Sequence, residues 1–256
     1  MQRQPWFEIH DSRWFPAYLR DLVTEALEAI WNSNRTYVPI AGRLRDAVRN
    51  SGSRSVVDLC SGGGGPWPGL YDIIADGQPL SVRLTDLYPN AGFHDNGRLP
   101  AGISACRQPV DARHVPEDLH GFRTIFSSFH HFDPEAARAL LADAFRRREG
   151  IGVFEAARRT PGTMLSVAGV AALSLRTAAA QRPVRPARLL FTFLLPVIPL
   201  TLWIDGLLSC LRSYSLEDMH ELTAGLTAPD YAWQMGDEHG GTVPIRYLIG
   251  TPQRRA

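Results

Sequence analysis

Four glycines in a row, Gly62 to Gly65, follow the apolar run Ser55–Cys60, and aspartates stand at 58, 86 and 111. Glycines placed directly after a strand let a ligand approach the backbone, because no Cβ stands in the way. Asp86 ends the run LSVRLTDL, where a carboxylate can accept both hydroxyl hydrogens of a ribose. Asp111 ends the next run, ISACRQPVDA, where it can accept from an exocyclic amino group, and Asp58 lies beneath the glycines. Taken singly, each aspartate also reads as a turn or helix cap. Taken together, three carboxylates around one ligand repel a pyrophosphate and suit a cationic nucleoside.

The dinucleotide fingerprint G-x-G-x-x-G has no complete frame here. Starting from Gly62 and Gly64, its third glycine falls on Trp67, too large for close helix–strand packing. S-adenosylmethionine has a sulfonium, an ammonium and a single carboxylate, and it fits the acidic balance better. Displacement at a sulfonium needs chiefly alignment and desolvation, with a base only for a protonated acceptor. SSFHHF offers His130 and His131 for that role, and Glu155 closes the run IGVFEA. Each histidine reads equally as structural, and Glu155 as a partner of Arg158 or Arg159. His10, Trp14, Tyr18 and Tyr37 are candidates for an N-terminal lid, with plain core packing as the other reading of Trp14 and Tyr18.

Positioning these groups falls to an alternation of elements. Apolar runs at SVVDLC, LSVRLTDL, ISACRQPVDA, RTIFSSF and IGVFEA alternate with helical segments, which predicts a parallel sheet covered on both faces. Asp133 with Pro134 predicts a helix start, and Ser215 with Asp218 a capping box. SRWFPAYLRDLVTEALEAIW carries apolar residues three and four apart, with Asp11 or Ser12 as its expected cap. DYAWQMG and VPIRYLIGTP read as two final, antiparallel strands. Between Thr163 and Leu211 lies the most apolar part of the chain. Its longest run, Leu189–Ile204, would span about 24 Å as a helix, short of the roughly 30 Å of a bilayer core. Three readings compete for it: a lid over an apolar acceptor, a peripheral membrane contact, and a dimer interface.

Composition excludes several classes. The 256 residues carry a formal net charge of +1, so no overall field argues for nucleic acid. All 27 Lys+Arg positions are arginine, which removes Schiff-base and P-loop lysine chemistry. Cys60, Cys106 and Cys210 suit neither disulfides nor a zinc site, and no metal is expected. The N-terminus lacks a signal-peptide layout, so a cytoplasmic setting is the default.

These motifs resemble the core of class I S-adenosylmethionine-dependent methyltransferases of the small-molecule type. VVDLCSGGGGP resembles that family's glycine motif, LTDLYPN its ribose-binding acid, PVDARHVP its adenine-side acid, and TIFSSFHHF its fourth-strand region. The resemblance implies that Gly62, Gly63 and Gly64 line the methionine part of the cofactor, that Asp86 holds the ribose, and that Leu87 packs on adenine. It further implies that Asp111 and Ala112 bracket the adenine amino group and that Ser127 or Ser128 lies beneath the cofactor. Cys60 departs from the pattern, standing where the first glycine is usual.

The expected fold is a Rossmann-like, doubly wound, mostly parallel α/β sheet in a single domain. Residues 1–50 form a helical lid, 51–160 the cofactor-binding core, 161–212 the apolar helical insertion, and 213–256 a helix and the last two strands. The expected function is methyl transfer from S-adenosylmethionine to a small, apolar acceptor at oxygen, nitrogen or carbon. The alternatives are a nicotinamide-dependent oxidoreductase on the same sheet and a non-catalytic protein that dimerises or meets a membrane through 163–211.

Overall fold

A computed structural model describes residues 3–4, 6–12, 14–89 and 99–253. Asn90, the last residue of the LTDLYPN segment, lies outside them.

The apolar runs become β1 (Ser55–Leu59), β2 (Ser81–Leu84), β3 (Ile103–Ala105), β4 (Phe122–Phe126), β5 (Ile151–Glu155), β6 (Tyr231–Glu238) and β7 (Ile245–Pro252). They form one sheet in the order β3-β2-β1-β4-β5-β7-β6. The first five strands run parallel. β7 slots between β5 and β6 and runs antiparallel to both. The chain crosses from one half of the sheet to the other between β1 and β4, and ligands on open α/β sheets bind at the carboxyl ends beside such a switch. β3 is shorter than its apolar run: it stops at Ala105, six residues before Asp111.

Helices α1 (Ala17–Ser33), α2 (Ala41–Ser51), α3 (Trp67–Ala75), α4 (Pro134–Arg146), α5 (Pro161–Ala180), α6 (Pro186–Leu189), α7 (Val197–Arg212) and α8 (Leu216–Thr223) cover the sheet and its carboxyl edge. One face of the sheet, with Val56, Val82 and Phe154, packs on Leu44 of α2 and Leu70 of α3. The other, with Val57, Ile125 and Val153, packs on Leu140 of α4 and Met219 of α8. Burial on both faces is why these strands read as continuous apolar runs. α4 starts as expected, with Asp133 accepting from the Ala136 N–H at 2.8 Å, and α8 has its capping box. α1 does not start at Asp11 or Ser12. It begins after Pro16, and Asp11 turns its carboxylate to His131 instead.

The insertion folds onto α1. Leu22, Val23 and Ile30 of α1 form a third cluster with Ile198 and Leu202 of α7. α5 packs along α7 closely enough that a Cβ on Gly206 would lie 2.7 Å from Val167 Cγ1. Among the described residues, α5 is the one helix long and apolar enough to cross a membrane. The Leu189–Ile204 run is broken: α6 passes into a π-helical turn, Leu190–Leu194, and α7 departs at 68°. Residues ahead of α1 run back across α7. The Gln4 N–H donates to Leu211 O, and the Arg3 guanidinium donates to the carbonyls of Arg212, His130 and Phe132.

Candidate active site

The glycine turn begins one residue early. Cys60 leaves β1 with φ +58°, the left-handed conformation that a glycine takes without strain and that costs another residue about 1–2 kcal/mol. Gly62 and Gly65 follow at φ +55° and +57°. Cys60 thus takes the backbone shape of the glycine it replaces. Ser61 fastens the turn: its N–H donates to Thr85 O, and its hydroxyl to the Asp58 carboxylate at 2.7 Å. The other oxygen of Asp58 accepts from Thr124 Oγ1 at 2.6 Å. Burial pushes the Asp58 carboxyl up to about 6, with those two hydroxyls holding it from going higher.

Asp86, just past β2, faces the turn. It accepts from the Gly62 N–H at 2.7 Å and from the Tyr88 N–H at 2.8 Å. Burial raises its carboxyl above the usual range, and those two N–H groups offset part of the rise. A carboxylate has about four acceptor positions, so lone pairs remain beyond these two bonds. Across the switch, Ser127 leaves β4 at φ +44°, and its hydroxyl is 2.5 Å from the Tyr37 hydroxyl. Tyr37 is buried in the core and is no part of an exposed lid.

The third wall is polar. Glu155, at the end of β5, pairs with neither Arg158 nor Arg159 but with the turn after β4. It accepts from the Phe129 N–H at 2.8 Å and sits 2.8 Å from His130 Nδ1. His130 Nε2 lies 3.1 Å from Glu8 Oε1, so the imidazole stands between two carboxylates. Burial disfavours its charge, but Glu155 and Glu8 outweigh burial and push His130 up to about 10. Burial likewise opposes charge on Glu8, yet His131 and His130 hold it well below the carboxylate range. His131 Nδ1 is 2.6 Å from Asp11 Oδ2, and His10 Nδ1 is 2.8 Å from Asp205 Oδ2. Asp205, on α7, also accepts from the N–H groups of Ile9 and His10, which fixes the segment carrying Glu8 and Asp11.

These three walls enclose a cavity of about 620 Å³. Its apolar remainder comes from Leu27 and Ile30 of α1, Val167 and Val170 of α5, and Leu202 of α7. That size suits a small-molecule site.

The structure gathers Asp58, Gly62, Gly63, Asp86, Leu87, Ser127, Ser128, His130 and His131 around this cavity. Gly64 belongs to the turn but not to the lining, and Glu155 stands behind His130. Asp111 and Ala112 stand apart from the lining. Asp111 is engaged by Arg113 at 2.6 Å, which holds its carboxyl below the usual range, and Ala112 is packed in the core beneath α4. Of the N-terminal aromatics, Trp14 and Tyr18 point outward, while His10 lines the cavity. Glu8, Asp11 and Asp205 were not anticipated as site residues. The first two sit with His10 in the stretch EIHD, whose density of ionisable groups was the available signal.

No protein-family model matches the chain, and no curated protein matches it. Among solved structures, human N-acetylserotonin methyltransferase in complex with S-adenosylmethionine matches at 14% identity and a TM-score of 0.51, covering 92% of this chain and 56% of that one. The O-methyltransferase NcsB1 from neocarzinostatin biosynthesis, in complex with S-adenosylmethionine and 2-hydroxy-5-methyl naphthoic acid, matches at 16% identity and a TM-score of 0.48, covering 94% and 62%. An O-methyltransferase family protein from Burkholderia thailandensis matches at 14% identity and a TM-score of 0.44, covering 86% and 57%. The chain therefore spans 56% of the length of the first of these. At this identity the likeness to the first of these is one of fold alone: a mostly parallel seven-stranded sheet covered by helices, with a helical N-terminal region.

Proposed function

We propose that the protein is an S-adenosylmethionine-dependent methyltransferase acting on a small, largely apolar acceptor. One observation carries this reading. At the switch point, Asp86 places its carboxylate opposite the Gly62 N–H, inside a cavity whose floor is glycine backbone. The residues present fit the cofactor: Asp86 has lone pairs left for the two ribose hydroxyls, and Gly62 and Gly63 line the cavity where the methionine part would lie. Asp58 and Asp86 make that floor anionic, which favours a sulfonium and disfavours a pyrophosphate.

The cofactor supplies a methyl group on a leaving sulfide, and the chain supplies alignment and a dry site. Leu27, Ile30, Val167 and Leu202 exclude water around the acceptor, so the insertion serves as a lid. When the acceptor arrives as a hydroxyl, its proton goes to the polar wall, where Asp11 and His131 are the partly exposed pair. His130 is enclosed by Glu8 and Glu155 and acts as a positioning residue for that wall. Calorimetry tests the reading: S-adenosylmethionine and its demethylated product should each bind once per chain. NADH binding in their place would favour the oxidoreductase.

The outer side of the insertion supports a peripheral membrane contact as well. Leu165, Phe193, Leu194 and Trp203 are exposed there. Wild-type protein should co-sediment with anionic vesicles and Leu194→Glu should not. Equal recovery of both would remove this part of the reading.

A further inference from the structure

We propose that Glu8, His130 and His131 form a binding site for one divalent transition-metal ion on the polar wall of the cavity. Their ligand atoms lie within 4.8 Å of one another. His130 Nε2 is 3.1 Å from Glu8 Oε1, and His131 Nε2 is 3.7 Å from Glu8 Oε2. A metal about 2.0–2.2 Å from each donor holds neighbouring donors roughly 3–4 Å apart, so the spacing needs little adjustment.

Three further features separate this cluster from an ordinary ion-pair network. First, both histidines are backed by carboxylates. His130 Nδ1 meets Glu155 at 2.8 Å and His131 Nδ1 meets Asp11 at 2.6 Å, the arrangement that turns an Nε2 lone pair toward a metal. Second, Glu8 Oε1 and His130 Nε2 are buried 3.1 Å apart, yet the pair lacks the geometry of a hydrogen bond. A shared ligand gives both atoms a well-directed partner. Third, Glu8, Asp11, Glu155 and Asp205 bring four carboxylates to the cluster. Arg212 lies 3.8 Å from two of them, Glu8 and Asp11, so a dication that takes the place of the His130 proton enters a carboxylate-rich setting.

Two imidazoles and one carboxylate, with no thiolate, select an ion of the manganese-to-zinc series over magnesium or calcium. Asp11 and His131 are partly open to the cavity, so coordination positions remain for an acceptor oxygen. An ion there would lower the pKa of a bound hydroxyl beside Asp11. The sequence did not lead to this site because Glu8 lies more than a hundred residues from the histidines, and long-range bonds of its segment, from Arg3 to His130 O and from Ile9 to Asp205 among them, bring it there.

The test uses the full chain, stripped of metal by chelator dialysis. Cobalt(II) is titrated by visible absorption and zinc(II) against a chromophoric chelator, with no S-adenosylmethionine present. One ion per chain is expected. Glu8→Gln and His131→Ala should each abolish binding with the circular dichroism unchanged, and Glu155→Gln should weaken it about 10–100-fold. If His131→Ala loses its fold, His131→Gln takes its place. Wild-type binding no tighter than that of the folded His131 variant overturns the proposal. Because S-adenosylmethionine is absent throughout, that failure leaves the methyl-transfer reading untouched.

Discussion

Asp86 joins the turn and the ligand through one carboxylate, whose two oxygens accept from the Gly62 and Tyr88 N–H groups. Asp86→Asn keeps the shape but sets an NH2 against one of those N–H donors and removes the charge from the bond that remains, bonds to a charged group being worth about 1.5–3 kcal/mol each. The melting temperature should therefore fall by a few degrees, while S-adenosylmethionine affinity of the folded variant should fall roughly 10–100-fold, as read by thermal unfolding and calorimetry. Unchanged affinity would remove Asp86 from the site. Asp58 makes a different prediction. A carboxyl raised in the folded state costs stability as pH climbs from its unfolded value near 3.8 to about 6, and the full cost persists above that. At 1.36 kcal/mol per unit, the cost is roughly 3 kcal/mol. Denaturant unfolding from pH 4 to 7 should therefore show Asp58→Asn gaining on the wild type by that amount, then holding level. A gap constant across pH would contradict it. Cys60 was legible as a departure from the glycine pattern, but only the backbone shows that it adopts the left-handed turn all the same. Cys60→Val, β-branched at positive φ, should destabilise the protein by more than Cys60→Gly does.

Elements with strong local signals matched their expectations. Asp133 with Pro134 and Ser215 with Asp218 announced α4 and α8, because caps are short-range chemistry. Signals that depend on distant partners did not carry. Asp11 reads as a cap just ahead of SRWFP but is claimed by His131, 120 residues away. Asp111 is a local case instead: β3 stops six residues short of it, and its carboxylate meets Arg113, two residues on. The insertion reads as apolar with three competing roles, and the packing of its α5 and α7 on α1 makes it a wall of the cavity. Gly206 tests that packing. Gly206→Ala places a Cβ 2.7 Å from Val167, an overpacking that costs about 1–3 kcal/mol, and should lower the melting temperature by several degrees. Val167→Ala should restore much of the loss. An unchanged melting temperature would show that α5 and α7 are not tightly joined.

Across the whole molecule, the parallel sheet was legible because its strands are buried on both faces and alternate with helices. The antiparallel β7, slotted between β5 and β6, runs against its neighbours, and the edge strand β6 again runs with the first five. The polar wall was half legible: SSFHHF and Glu155 showed in sequence, whereas Glu8 and Asp205 reach it only through the folded N-terminal segment and α7. The central claim is that the switch-point cavity holds S-adenosylmethionine, and titration calorimetry of wild-type and Asp86→Ala protein tests it most directly. The account predicts one S-adenosylmethionine per wild-type chain and much weaker binding in the folded variant. Folded wild-type protein that binds neither S-adenosylmethionine nor its demethylated product would contradict it.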